Sequence, residues 1–233
     1  MTKLILPDTT IFTPEQLMLR EQNTVIFKKA ASALRHTMLG LAVANPAWHR
    51  ALLALEFNLS HHTGWRKDKV TPAAYHQISI ANHCLTFMSD LIDPVRTIIA
   101  ALTHDTPEDT PISHAEVRDN FGSDSEEDVE LLTKKYRGVT KDKDAYHTAW
   151  ADNFVTSVVK PVDRIDNIGS MGGVFMLAKQ IDYCDESVNY FLPGLKHART
   201  KFTRQHRIYT NLKITLTKVM RPYQLANANG VAI

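Results

Sequence analysis

The chain has 233 residues, 44% hydrophobic and 22% charged, with 27 Lys+Arg against 25 Asp+Glu and a net charge of +2. That composition supports one sizeable core and excludes global disorder, and the length suits a single domain over residues 1–233. So balanced a charge supplies no basic stripe for a duplex, so a small-molecule partner is expected and nucleic acid is not.

Cys84 and Cys184 are too few for a disulfide framework, which fits a reducing, cytoplasmic setting. Pro7 and Asp8 interrupt the apolar run near the start, so no signal peptide is expected. No run approaches the ~18 apolar residues of a membrane span.

The first helix is announced by Thr13-Pro14-Glu15-Gln16, an N-cap with Pro at the first helical position and a Gln that closes a capping box. Apolar residues at helical spacing carry it from Leu17 to about Ala42. Asn45-Pro46 ends it, and Trp48 to Leu59 reads as a second, well-buried helix. After a polar loop at 60–70, Thr71-Pro72 is expected to open a third helix, with His76, Ile80, His83 and Phe87 on one face. Asp93-Pro94 opens a fourth, apolar from Val95 to Leu102 apart from Arg96 and Thr97. It stops near His104-Asp105, because Pro107 disfavours the α region at Thr106.

Ser113 and Glu116 form a second capping box, for a short helix ending at Phe121-Gly122. Residues 124–135 read as another helix, 136–143 as a charged loop, and Asp144 to Ile168 as one long helix. Two more helices are expected over about 175–220, with a frayed tail from about Tyr223. No strand alternation runs longer than a few residues, so the expected fold is all-α, a single-domain helical bundle.

The chemistry concentrates in IIAALTHDTPEDT, residues 98–110. An apolar helix delivers His104 and Asp105 together at its end, and Glu108 and Asp109 follow across a proline turn. Packing explains none of these four groups. A neutral imidazole beside a carboxylate suits a transition metal such as Mn²⁺ or Fe²⁺. His76 on the preceding helix and Asp163 in VVKPVDRIDNIGSM would complete two imidazoles and two carboxylates. Such a set leaves room for water and substrate, as a hydrolytic metal site requires.

The segments RKDKVTPAAYH, AALTHDTPEDT, FGSD, LLTKK and KPVDRIDNIGSM, in this order, resemble the hydrolase domain of Rel/SpoT-type alarmone enzymes. They equally resemble the small stand-alone alarmone hydrolases of the HD metal-dependent phosphohydrolase superfamily. The likeness spans roughly residues 60–175. It implies a helical fold, one Mn²⁺, and removal of the 3′-pyrophosphate from (p)ppGpp to leave GDP or GTP. By this resemblance His76, His104, Asp105 and Asp163 are the metal ligands, and Glu108 and Asp109 match the acidic pair that activates or orients the attacking water. Arg66 and Lys67 match a pair that grips the nucleotide. Asn167 matches an Asn one turn after the last ligand, and Ser170 a hydroxyl residue near the ribose and phosphate. Lys141 and Lys143 are further candidates for phosphate contact.

The chain departs from that pattern at Gln77, at Pro161 and at Asp166. Pro161 is expected to kink its helix near the metal. Asp166 is expected to add negative charge beside the nucleotide pocket and to weaken affinity. His61 and His62 read as solvated loop histidines, while Trp65, His147 and Trp150 are open candidates for the pocket wall. The terminal segments, 1–50 and 180–233, read either as helical dressing or as the interface of a homo-oligomer. Two alternatives to alarmone hydrolysis stand: the same site acting on an adenosine-type alarmone, NADPH or a dNTP, or a sensor that binds nucleotide with weak catalysis.

Overall fold

A computed structural model describes residues 12–233. Twelve α-helices among them are α1 (Pro14–Ala44), α2 (Trp48–His61), α3 (Tyr75–Leu85), α4 (Pro94–Thr103), α5 (Thr106–Asp109), α6 (His114–Phe121), α7 (Ser123–Leu132), α8 (Lys143–Ala151), α9 (Thr156–Gly169), α10 (Leu177–Glu186), α11 (Leu192–Lys201) and α12 (His206–Ala228). The two strands described, β1 (Lys135–Tyr136) and β2 (Val139–Thr140), make a small antiparallel hairpin within the stretch expected to be a loop. The fold is all-α, of the HD-type helical-bundle kind.

α4 is the axis of the bundle, packed against α2, α3, α7 and α9. Asp93 caps it by accepting from the Arg96 N–H, and Pro94 starts it. Ile98, Ile99 and Leu102 are fully buried, which at about 1.5–3 kcal/mol each makes this helix a main source of hydrophobic stability. Its polar groups are all answered inside the fold. Thr97 and Thr103 donate to the carbonyls of Asp93 and Ile99, and Arg96 grips Asp128 of α7 with two hydrogen bonds of 2.6 and 2.9 Å. A core helix held on four sides gives whatever follows its C-terminal end a rigid platform.

The capping boxes at Thr13 and Ser113 form as expected. Several elements differ from expectation. Thr106 opens helix α5 despite Pro107, and the stretch over about 175–220 holds three helices, α10, α11 and α12, where two were expected. Pro72 does not open α3: its backbone pairs with Trp65, and the helix begins at Tyr75. The helix expected from Asp144 to Ile168 is two, because the Asn153 side chain accepts from the N–H groups of Val155 and Thr156 and starts α9 afresh. α9 then continues through Pro161 as one helix. Finally, α12 runs to Ala228 with Tyr223 buried, so the tail is not frayed from Tyr223. The cause is long-range packing of α12 against α9, α10 and α11, which no local pattern records.

Candidate metal centre

Four side chains converge where α3, the end of α4 and α9 meet. One ligand atom from each of His76, His104, Asp105 and Asp163 lies within 4.8 Å of the other three. His76 Nε2 is 3.1 Å from Asp163 Oδ1 and 3.5 Å from Asp105 Oδ2, and His104 Nε2 is 2.9 Å from Asp105 Oδ2.

Both imidazoles are aimed by their other nitrogen. His76 Nδ1 lies 2.6 Å from Asp166 Oδ2, and His104 Nδ1 lies 2.9 Å from the Ala101 carbonyl. Those partners only accept, so each Nδ1 carries the proton and each Nε2 turns a lone pair to the centre. This is how proteins orient metal-ligating histidines.

His104 Nε2 is fully buried and makes no hydrogen bond, despite the carboxylate beside it. A buried lone pair facing a carboxylate oxygen is repulsive unless a cation sits between them. The electrostatics of the cluster also favour positive charge at this point. Burial opposes charge on both histidines, yet the surrounding carboxylates outweigh it and raise both, His76 well above its ordinary value. Asp105 is held well below the usual carboxylate range, because His104 and His76 overcome its burial. The centre therefore attracts positive charge, and its mixed nitrogen and oxygen donors fit a divalent transition metal.

Around this cluster sequence reasoning missed one residue and misread two. Lys160, one turn before Asp163, is half-buried and holds Asp163 Oδ2 at 2.9 Å, leaving Oδ1 to the centre. Asp166 is no free negative charge, which corrects the expectation for it. Its Oδ2 accepts from His76 and, at 3.1 Å, from Arg66, while its Oδ1 accepts from Ser79 at 2.7 Å. His62 is no solvated loop residue either: it is 6% exposed, its Nε2 has no partner, and burial pushes its pKa down to about 4. The i, i+3, i+4, i+7 spacing of Asp163, Asp166, Asn167 and Ser170 was the available signal for the polar face of α9.

The expected nucleotide-gripping residues gather on one flank. The Arg66 guanidinium reaches Asn167 Oδ1 at 3.3 Å and Ser170 Oγ at 3.2 Å in addition to Asp166. Asn167 also donates to Asp163 Oδ1 at 2.5 Å, tying this flank to the centre. Lys67 stands apart from them, with its Nζ 5.3 Å from the centre of the Phe175 ring. The Trp65 ring is covered by Arg20 at 3.8 Å.

The acidic pair divides. Glu108 Oε1 accepts from the backbone N–H groups of Lys134 and Lys135, so it tethers the β1–β2 hairpin to α5. Asp109 makes no such bond. Its carboxyl is pushed up to about 6, by desolvation first and then by the neighbouring Asp105 and Glu108 carboxylates.

Other candidates lie elsewhere. His147 and Trp150 are buried behind the site, where Trp150 donates to His147 and His147 meets Glu186 at 3.1 Å. Lys141 donates to the Glu130 carbonyl, and Lys143 sits over the Tyr190 ring.

An HD-type helical bundle that gathers two histidines and two aspartates at one point defines a candidate metal-dependent site. In sequence, the chain is similar to the guanosine-3′,5′-bis(diphosphate) 3′-pyrophosphohydrolase of Aquifex aeolicus (strain VF5), with 28% identity over 152 residues. That match covers 60% of this chain and 20% of the relative, so the chain spans about a fifth of the length of the protein it matches. No protein-family model matches. The likeness supports the resemblance to the Rel/SpoT-type hydrolases.

Proposed function

We propose that the chain is a Mn²⁺-dependent hydrolase that removes the 3′-pyrophosphate of (p)ppGpp, giving GDP or GTP, with a small-molecule nucleotide as its partner in the cytoplasm. The observation that carries this reading is the buried His104 Nε2 without a hydrogen-bond partner, inside a two-His, two-Asp cluster, in a chain similar to an enzyme of that name. His76, His104, Asp105 and Asp163 would hold the ion, which when bound would supply Lewis acidity at the scissile phosphate.

The chain's own groups do the rest. Water adds to the phosphorus next to the ribose, the bond from that phosphorus to the 3′ oxygen breaks, and the 3′ oxygen takes up a proton. Asp109 receives the proton of the attacking water. A carboxyl raised to about 6 is a better base near neutrality than an ordinary one. Arg66, presented by Asp166, Asn167 and Ser170, offers a planar fork to a phosphate or a base, and Lys67 a compact charge to another part of the same ligand. The Lys160 ammonium offsets part of the carboxylate charge that would otherwise repel an anionic substrate.

The test is incubation of the pure protein with Mn²⁺ and a nucleotide panel, with the products separated by chromatography. Conversion of ppGpp to GDP plus intact pyrophosphate is the expected result. Orthophosphate as the first product, or rapid cleavage of an adenosine-type alarmone, NADPH or a dNTP with ppGpp untouched, would move the assignment to another substrate.

A further inference from the structure

Between α5 and the hairpin lies a cleft of about 570 Å³, lined by Glu108 and Asp109 on one side and Lys135, Tyr136, Arg137 and Gly138 on the other. Arg66 does not line it and is committed to α9. The acidic pair, three and four residues after Asp105, thus lines a second space that none of the expected substrate contacts occupies.

Three features of the hairpin point to an anion there. First, Lys135 and Arg137 form no ion pair among the described residues, and both are exposed across the cleft from Glu108 and Asp109, carboxylates that would repel an approaching phosphate. Two free cations at that place offset the repulsion. Second, the turn is a two-residue connection with φ of 48° at Arg137 and 87° at Gly138. Such a turn favours Asn, Asp or Gly at both central positions, and Arg adopts the left-handed region there at a conformational cost. In this conformation the Arg137 guanidinium lies over the Tyr136 ring, 5.0 Å from its centre, and Tyr136 itself is backed by His114. Third, Glu108 fastens the hairpin through the Lys134 and Lys135 N–H groups, so the cations keep a set distance from the acidic pair.

We propose that this cleft is a pyrophosphate subsite, with Lys135 and Arg137 as its ligands, that receives the group released from the ribose. The proposal rests on the hydrolase reading, and it assigns the two phosphate-bearing arms of the substrate to separate basic flanks: the nucleotide side to Arg66 and Lys67, the departing side to the hairpin.

The test is calorimetric titration of inorganic pyrophosphate into the Mn²⁺-loaded full chain, with orthophosphate for comparison. Lys135→Ala and Arg137→Ala should each weaken pyrophosphate binding about tenfold, the scale of one charge-assisted contact, and orthophosphate much less. Arg137→Gly separates binding from folding. It relieves the left-handed strain and should raise the melting temperature, yet should lose as much pyrophosphate affinity as Arg137→Ala. Unchanged pyrophosphate affinity in all three variants, or no pyrophosphate binding by the wild type, overturns the subsite. If the chain cleaves no ppGpp while its pyrophosphate affinity still depends on Lys135 and Arg137, the hydrolase reading fails and the subsite stands. Turnover of ppGpp with unaltered KM and unaltered product inhibition in the variants leaves the hydrolase reading and removes the subsite.

Discussion

Replacing Asp166 by Asn removes one charge and almost no volume, and it tests whether this residue aims His76 or merely adds charge to the pocket. In the wild type, Asp166 Oδ2 serves His76 at 2.6 Å and Arg66 at 3.1 Å, and Oδ1 serves Ser79 at 2.7 Å. The Asn carbonyl can take the place of Oδ2, and its amide can face Ser79, whose hydroxyl can turn to accept. Geometry is therefore kept, and what is lost is the ionic part of two bonds. A hydrogen bond to a charged group contributes about 1.5–3 kcal/mol and a neutral one about 1, so the two together should lose about 1–4 kcal/mol, of which the His76 bond, the one that bears on the metal, accounts for about half. That share corresponds to Mn²⁺ affinity lower by roughly 10-fold, the low end of the usual effect of altering a partner of a ligating histidine. Equilibrium dialysis against Mn²⁺, with a thermal melt to confirm folding, measures it. Mn²⁺ affinity equal to wild type together with tighter nucleotide binding would refute the positioning role and restore Asp166 as a plain repulsive charge.

His104→Ala should abolish stoichiometric Mn²⁺ binding while the helical circular-dichroism signal persists; a variant that still binds one ion per chain excludes His104 as a ligand. Asp109→Asn should lower the turnover number by about two orders of magnitude or more with little change in Mn²⁺ affinity, whereas Glu108→Gln should chiefly speed amide hydrogen exchange at Lys134 and Lys135. Equal rates for both variants would contradict the division of the pair. Burial alone would raise the Glu186 carboxyl, but His147, Arg164 and Lys134 outweigh it and hold it far below its ordinary value. A lowered folded-state pKa adds stability that is present above the unfolded value of about 4.3 and is lost as pH falls below it, so Glu186→Gln should flatten the acid limb of the stability curve. An unchanged acid limb counts against this network. A Cβ at Gly194 would stand 2.6 Å from the Trp150 ring, so Gly194→Ala should destabilise the fold by about 1–3 kcal/mol in chemical denaturation; a neutral result would mean that α11 and Trp150 separate freely.

The helical class, the capped starts of α1, α4 and α6, and the buried character of α4 were all written locally. Each depends on residues within one or two turns: a Thr or Ser three residues before a Gln or Glu, an Asp before a Pro, an unbroken apolar run. The four candidate ligands were legible for a related reason. A titratable pair at the end of an apolar helix has few uses other than chemistry, and the polar face of α9 follows from helical periodicity. What the sequence by itself did not determine is what each side chain meets across the bundle. Whether Asp166 repels a nucleotide or steadies His76 turns on the packing of α9 against α3, 90 residues apart in the chain. Whether His62 is wet or buried, and whether Glu108 activates water or ties down a hairpin, turns likewise on long-range contacts. The break between α8 and α9 was local but hidden, since Asn153 reads as a helix residue until its carbonyl is seen capping the next one. Local propensity sets where helices begin. The burial and partners of a charged group are set by tertiary packing, because a carboxylate's neighbours, and not its identity, decide whether its charge is shared, neutralised or exposed.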